Sequence, residues 1–204
     1  AMAQIAANLQ DHPAKKLCMI GVTGTNGKTS VTLLVKHILE TVKGAKVGLI
    51  GTMENLIGEE VVPTERTTPE SPDLQALFAR MVDAGCQYAI MEVSSHALSL
   101  ERVGGVHYDV AAFTNLTEDH LDFHKTMENY GQTKAMLFTR CDQAVANVDD
   151  EWFPLITENC TCPLIRTSVK GQGDLCARDL ELLSDGIRFT AVYGGQEVPV
   201  SLPI

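Results

Sequence analysis

Short apolar runs alternate along the chain with segments whose apolar residues recur every three or four positions. LCMIGV (17–22), VGLIG (47–51), YAIMEV (88–93), VAAFTNL (110–116) and AVANV (144–148) have strand length and composition. Between them, 27–42 carries Val31, Leu34, Val35, Ile38 and Leu39 at helical spacing. A helix capped by Ser71 or Asp73 would place Leu74, Leu77, Phe78, Met81 and Val82 on one face. MENYGQTKAMLF predicts another, with Met127, Tyr130, Met136, Leu137 and Phe138 as its apolar stripe. Residues 52–65 read as short extended pieces turning at Gly58. Parallel neighbours need a crossover, which is usually a helix, so this alternation predicts an α/β fold. The expected core is a mostly parallel, doubly wound sheet with helices on both faces.

Beyond about residue 170 the pattern changes. DLCARDLELL, IRFTAVY and QEVPVSL, separated by Ser-Asp-Gly and Gly-Gly turns, predict a small antiparallel sheet near the C-terminus. The first fifteen residues, AMAQIAANLQDHPAK, are short and weakly amphipathic and read as a linker, leaving 16–204 as one domain.

Charge narrows the function classes. With 26 acidic against 16 basic residues and a net charge of −10, the chain lacks the basic face expected of a nucleic-acid binder. No run resembles a membrane span or a signal peptide, so a cytoplasmic, monomeric protein is expected. An acidic protein can still bind a polyanion where its few cations and helix N-termini converge. The six cysteines, Cys18, Cys86, Cys141, Cys160, Cys162 and Cys176, include no CxxC pair. Cys160, Cys162 and Cys176 are a conceivable zinc set, but reduced thiols in a reducing compartment are the simpler reading.

GVTGTNGKTS (21–30) lies between a strand and a helix, the setting a phosphate-binding loop requires. Its glycines let backbone N–H groups converge on phosphate oxygens, and the helix N-terminus adds partial positive charge. Lys28 would reach the β/γ-phosphates and Thr29 would bind Mg²⁺. Val22 stands where the usual loop has its first glycine, and no Asn-Lys-x-Asp element accompanies it, which points away from GTPases. Glu92 ends a hydrophobic strand, where ligands bind in doubly wound sheets, and could hold Mg²⁺. Ser94, Ser95 and His96 follow, and could bind substrate or cap the next helix. His120 and His124 are spaced i, i+4, but Leu-Asp-Phe between them lacks the glutamate of a zinc protease. Residue statistics alone put Lys134 on the surface of its helix.

Taken together, GTNGKTS (24–30), RTTPES (66–71), MEVSSHALSLERV (91–103), FTNLTEDHLDFH (113–124) and YGQTKAMLF (130–138) resemble the MurE-type Mur ligases in order and spacing, from about residue 15 onward. These enzymes make UDP-N-acetylmuramoyl-tripeptide for peptidoglycan. The resemblance implies an ATP site at Gly24, Thr25, Asn26, Gly27, Lys28, Thr29 and Ser30, with Asn115 close to the nucleotide. It also implies two Mg²⁺ ions, held by Thr29 and Glu92 and by His120 and Lys134, the last as a carbamate. Thr67, Thr68, Ser94 and Arg102 match positions that hold the UDP-muramoyl-dipeptide; where some members carry glutamine, this chain has Leu100. The implied reaction activates a D-Glu carboxylate as an acyl phosphate, which the amine of a diamino acid then attacks. Cyanophycin and folylpolyglutamate synthetases, or a non-catalytic ATP-binding module, are the alternatives. A uridine-binding domain, an adenine-proximal asparagine segment and an amino-acid-selecting domain are not found in the sequence. The expectation is therefore a central ATPase domain, incomplete at its C-terminus, with weak nucleotide binding and no ligase turnover by itself.

Overall fold

The computed structural model describes residues 1–203. The predicted runs form β1 (Cys18–Thr23), β2 (Val47–Ile50), β5 (Tyr88–Glu92), β6 (Tyr108–Phe113) and β7 (Cys141–Asn147). The turn at Gly58 joins β3 (Asn55–Ile57) to β4 (Glu60–Val62). Three long segments are helical: α2 (Lys28–Lys43), α3 (Ser71–Asp83) and α6 (Met127–Ala135), the last continuing as a 3-10 turn to Thr139. Neither Ser71 nor Asp73 caps α3, since Glu70 is its N-cap residue and Ser71 Oγ donates to Arg102 O instead. Shorter helices are α4 (Ser95–Ser99), α5 (Leu121–His124) and α7 (Phe153–Thr157). Among the described residues no helix is long and apolar enough to cross a membrane.

All strands belong to one sheet of order β11-β10-β9-β8-β7-β6-β1-β5-β2-β3-β4, completed by β8 (Leu164–Ser168), β9 (Leu175–Leu183), β10 (Gly186–Tyr193) and β11 (Gln196–Pro203). From β2 to β8 neighbouring strands are parallel; β3 and β4 extend one edge antiparallel. The three antiparallel strands predicted at the C-terminus are present. They do not form a separate sheet, because β9 pairs with β8 in parallel through Thr167↔Leu175 and Ser168↔Cys176.

Alternation along the strands sorts the core. On β5, Ala89 and Met91 pack into the larger cluster with Phe78, Leu74 and Met81 of α3, while Ile90 faces α2 with Val47, Val35 and Leu39. Gly48 makes room for α3, since a Cβ there would lie 2.3 Å from Met81 Sδ. The apolar stripe of α2 is only half used. Val31, Val35 and Leu39 are partly buried and Leu34 and Ile38 are exposed, whereas Thr32 and Lys36 are buried.

Two segments depart from the sequence reading. The expected linker contains helix α1 (Met2–Leu9), whose Ala3, Ala6 and Ala7 are buried, with small side chains that allow close approach to Gly105. Strand β8 is too polar to show as an apolar run. It is held by pairing with β7 and by Asp149, whose carboxylate accepts from Ser168 Oγ and from the amides of Val169 and Lys170.

Candidate active site

The strand order doubles back at β1, with β5 on one side and β6 on the other, so the loops leaving all three strands meet at their carboxyl ends. The loop after β1 is the glycine-rich one. Val22 is fully buried and still in the strand, paired with Glu92 and with Ala112, so the turn is confined to the residues after Thr23. Gly24 has φ +143, and a Cβ there would sit 1.9 Å from Thr114 Oγ1, so only glycine fits. Gly27 (φ +81) precedes the first helical residue, Lys28, with open space around it, which leaves the N-terminus of α2 accessible.

The loop after β6 braces this turn. Thr25 N donates to Asn115 O (2.8 Å), Asn26 N to Asn115 Oδ1 (3.0 Å) and Asn26 Nδ2 to Thr117 Oγ1 (3.1 Å). Asn115 Nδ2 returns a bond to Asn26 O at 3.1 Å. Asn115 is thus occupied in shaping the loop. Ser30 is exposed on the first turn of α2.

Two cations converge on one carbonyl oxygen. Lys28 Nζ donates to Gly24 O (3.0 Å) and Thr25 O (2.8 Å), and Lys134 Nζ donates to the same Gly24 O at 2.9 Å. The surface position that statistics give Lys134 is wrong: it is 1% exposed, with its ammonium 4.5 Å from the centre of the Tyr130 ring. Burial, and then the Lys28 charge, push Lys134 down to about 7. Burial also lowers Lys28, partly offset by Glu92. Neither lysine is in a salt bridge among the described residues. In a chain of net charge −10, Lys28 and Lys134 meet beside the N-terminus of α2 with no acidic partner, an arrangement that can attract an anion.

Facing them is the buried Glu92 carboxylate at the end of β5. Its Oε1 accepts from Thr29 Oγ1 (2.9 Å) and Thr52 N (3.0 Å), and its Oε2 accepts from Thr52 Oγ1 (2.9 Å). Thr52, just past β2, escaped sequence reasoning. Its signal was the Gly-Thr pair at a strand's carboxyl end, since a side chain at Gly51 would lie 2.8 Å from Glu92 Oε1. Thr29, Thr52 and Glu92 together present hard oxygen donors of the kind Mg²⁺ prefers.

The histidines lie on the other flank. His120 is half exposed, in left-handed backbone (φ 52), with Nε2 3.4 Å from Asp119 Oδ2 and its ring edge-on to His96 at 4.9 Å. His124 points away from it, bonding Ser95 Oγ at 2.9 Å and stacking on Tyr130 at 4.8 Å. Burial and neighbouring His96 push His124 down to about 4.

The remaining sequence-predicted residues line the approach. Thr67 Oγ1 lies 3.1 Å from Thr52 Oγ1, whose own proton goes to Glu92, and Thr68 Oγ1 donates to Glu92 O at 2.8 Å. Ser94 Oγ accepts from Ala97 N at 3.2 Å and so caps α4. Arg102 donates to Thr68 O (3.3 Å), pairs with Glu70 (2.9 Å), and leaves its buried Nε without a partner. It borders a cleft of about 540 Å³ shared with Leu100, Ser71 and the start of α1.

A family model described as Mur ligase middle domain matches residues 22–204. The UDP-N-acetylmuramoyl-L-alanyl-D-glutamate--2,6-diaminopimelate ligase of Caldanaerobacter subterraneus subsp. tengcongensis is 45% identical over the whole of this chain and 42% of its own length. The ligase of the same name from Clostridium tetani is 46% identical, again over 42% of its length. The chain therefore spans less than half of these relatives. A solved diaminopimelate ligase superposes with a TM-score of 0.85 at 26% identity, covering all of this chain and 44% of that one. E. coli FolC, solved with DHPP and ADP, gives 0.73 at 19% identity, covering all of this chain and 52% of that one, a likeness of fold alone. The chain belongs to the Mur ligase family, as its middle domain.

Proposed function

We propose that this chain is the central, ATP-binding domain of a longer ligase that adds a diamino acid, diaminopimelate, to UDP-N-acetylmuramoyl-L-alanyl-D-glutamate. The names of relatives at 42–48% identity support the substrate. The observation that carries the reading is the pair of unpaired lysines, Lys28 and Lys134, meeting at Gly24 O opposite the Thr29–Glu92–Thr52 oxygen cluster.

ATP occupies the loop 24–30, with Lys28 on its terminal phosphates. A substrate carboxylate attacking a polyphosphate is anion meeting anion, so positive charge fixed at that point lowers the barrier. Mg²⁺, when bound, supplies most of that charge; Thr29 and Glu92 would hold one ion, and His120 with a modified Lys134 the other. Burial leaves much of the Lys134 amine neutral near pH 7, and a neutral amine adds to CO₂ as a carbamate, releasing one proton. That replaces a cation with an anion, an oxygen donor of the kind Mg²⁺ prefers. Thr67, Thr68, Ser94 and Arg102 hold the UDP-muramoyl-dipeptide. The activated acyl group then passes to the incoming amine, and phosphate leaves.

Two experiments test this. Calorimetric titration of the chain with Mg·ATP should show weak binding that Lys28→Ala abolishes; equal binding by both would remove the nucleotide site. A polypeptide extended to the length of the relatives should release phosphate only when UDP-muramoyl-dipeptide, ATP and diaminopimelate are all present. Phosphate release indifferent to the muramoyl substrate would overturn the ligase. The carbamate has its own readout, a resonance from ¹³C-bicarbonate that is absent in Lys134→Arg.

A further inference from the structure

We propose that Cys141 and Cys162 form a reversible dithiol–disulfide pair, a modification site closed by low-molecular-weight disulfides at the end of the sheet opposite the phosphate loop. All six cysteines are free, and three of them meet. Cys162 Sγ lies 3.5 Å from Cys141 Sγ and 3.6 Å from Cys160 Sγ. Cys176, which the sequence grouped with Cys160 and Cys162, is instead on β9, directed at Gly173 O.

The backbone favours closure between Cys141 and Cys162. Cys141 opens β7 and Cys162 stands two residues before β8. These strands pair in parallel from Ala144↔Leu164, and the same offset carried back through the bend before β8 leaves Cys162 about one residue out of register with Cys141. Strand spacing of about 4.8 Å and a rise of about 3.3 Å put such Cα atoms within the roughly 4.4–6.8 Å that a disulfide spans. The sulfurs must close to about 2.0 Å, which a rotation of Cys162 in its irregular loop can supply. Cys160 is disfavoured as the partner. Its thiol is directed at Cys162 O (3.7 Å), and i, i+2 bridging closes a tight ring. Among the described residues no group of three or more ligating side chains is arranged to hold a metal, so the trio does not read as a zinc site.

The roles of the two thiols differ. Cys162 is half-buried, and its thiolate attacks one sulfur of the external disulfide, forming a mixed disulfide and expelling one thiolate. Cys141 is buried, its thiol pushed up by burial and by Cys162, so the more accessible Cys162 is the thiol that an external disulfide meets first. Cys141 then loses its proton and attacks Cys162 Sγ, expelling the second small thiol. Two protein thiols and one external disulfide become one protein disulfide and two external thiols. The link would secure β8, the strand through which β9–β11 join the sheet.

The 204-residue chain, incubated with oxidised glutathione at about pH 8, should lose about 2 Da in denaturing intact-mass analysis, and dithiothreitol should reverse it. Peptide mapping should find Cys141 joined to Cys162. The loss should persist in Cys160→Ser and vanish in Cys162→Ser and Cys141→Ser. Oxidation should raise the Tm of the wild type by several degrees and leave Mg·ATP affinity within about twofold. No mass loss, a stable glutathione adduct, or a Cys160–Cys162 link would each overturn the proposal. Mapping of the wild type decides the matter even if Cys141→Ser does not fold.

Discussion

The centre of the sheet and its antiparallel extension are built from similar strands with opposite outcomes. On β1, β5 and β6 most side chains are buried, because helices or packed loops cover both faces. On β9, β10 and β11 only Cys176 and Gly186 are buried, and Leu182 (75%) and Val198 (54%) face solvent. Strand formation is thus secured in the extension by ladder pairing alone and in the centre by packing as well. The candidate chemistry sits in the second kind of place. A buried Glu92 held by three hydrogen bonds and a Lys134 drawn into the core both cost stability, and only an over-determined neighbourhood can hold them.

The largest effect should come from removing packing at the centre. Phe78 of α3 is fully buried in the main cluster, so Phe78→Ala should destabilise by about 3–5 kcal/mol, measured by urea unfolding. A cost under 1 kcal/mol would mean that the centre is no better packed than the extension.

Removing charge at the site tests function apart from packing. Lys28→Ala should weaken Mg·ATP binding or slow the parent ligase by about 10²–10³-fold, as expected for loss of a pre-positioned charge. Its melting temperature should hold or rise, because a partly desolvated cation disappears. A fall in stability equal to the fall in binding would make Lys28 a structural residue.

The two regions were legible in the sequence to different degrees. Parallel strands of the centre are continuous apolar runs, so β1, β2, β5, β6 and β7 could be read directly; β8, with Arg166 and Thr167 inside it, could not. The extension was readable from its turns, but its attachment to the main sheet rests on two pairs between β8 and β9, which no local pattern encodes. At the site, the loop announced itself because phosphate binding needs glycine at fixed positions. The burial of Lys134 was invisible to local reasoning, since a lysine in a helix is ordinarily exposed; the resemblance singled the residue out but implied a role and not its burial. Thr52 was missed because its partner, Glu92, is forty residues away in sequence.

Lys134 also gives the centre a pH signature. Its pKa is about 7 folded and 10.5 unfolded, so the unfolded chain binds the extra proton between those values. Stability therefore rises with pH from about 7 to 10.5, and the cost of the buried charge is fully present below 7. In CO₂-free buffer Lys134→Met should flatten that rise, gaining on the order of 2–4 kcal/mol over wild type at about pH 6 and little at about pH 10. Parallel pH profiles for the two proteins would remove the desolvated cation.

The smallest effects belong to the extension. Leu182 is 75% exposed on β9, so truncating it deletes few contacts, and Leu182→Ala should change stability by no more than about 0.5 kcal/mol. Gly194, in the turn between β10 and β11, is a sharper probe because a Cβ there meets nothing within 4 Å, yet its φ is +57. Any cost of Gly194→Ala is then backbone strain alone, expected at about 1 kcal/mol and confined to hydrogen exchange in β10 and β11. Gly24→Ala sets the contrast at the centre, where the added carbon would lie 1.9 Å from Thr114 Oγ1 and 3.1 Å from the Asn115 backbone. If Gly194→Ala slowed nucleotide binding as Gly24→Ala should, the extension would be coupled to the site, and the division between a braced centre and a loosely covered flank would fail.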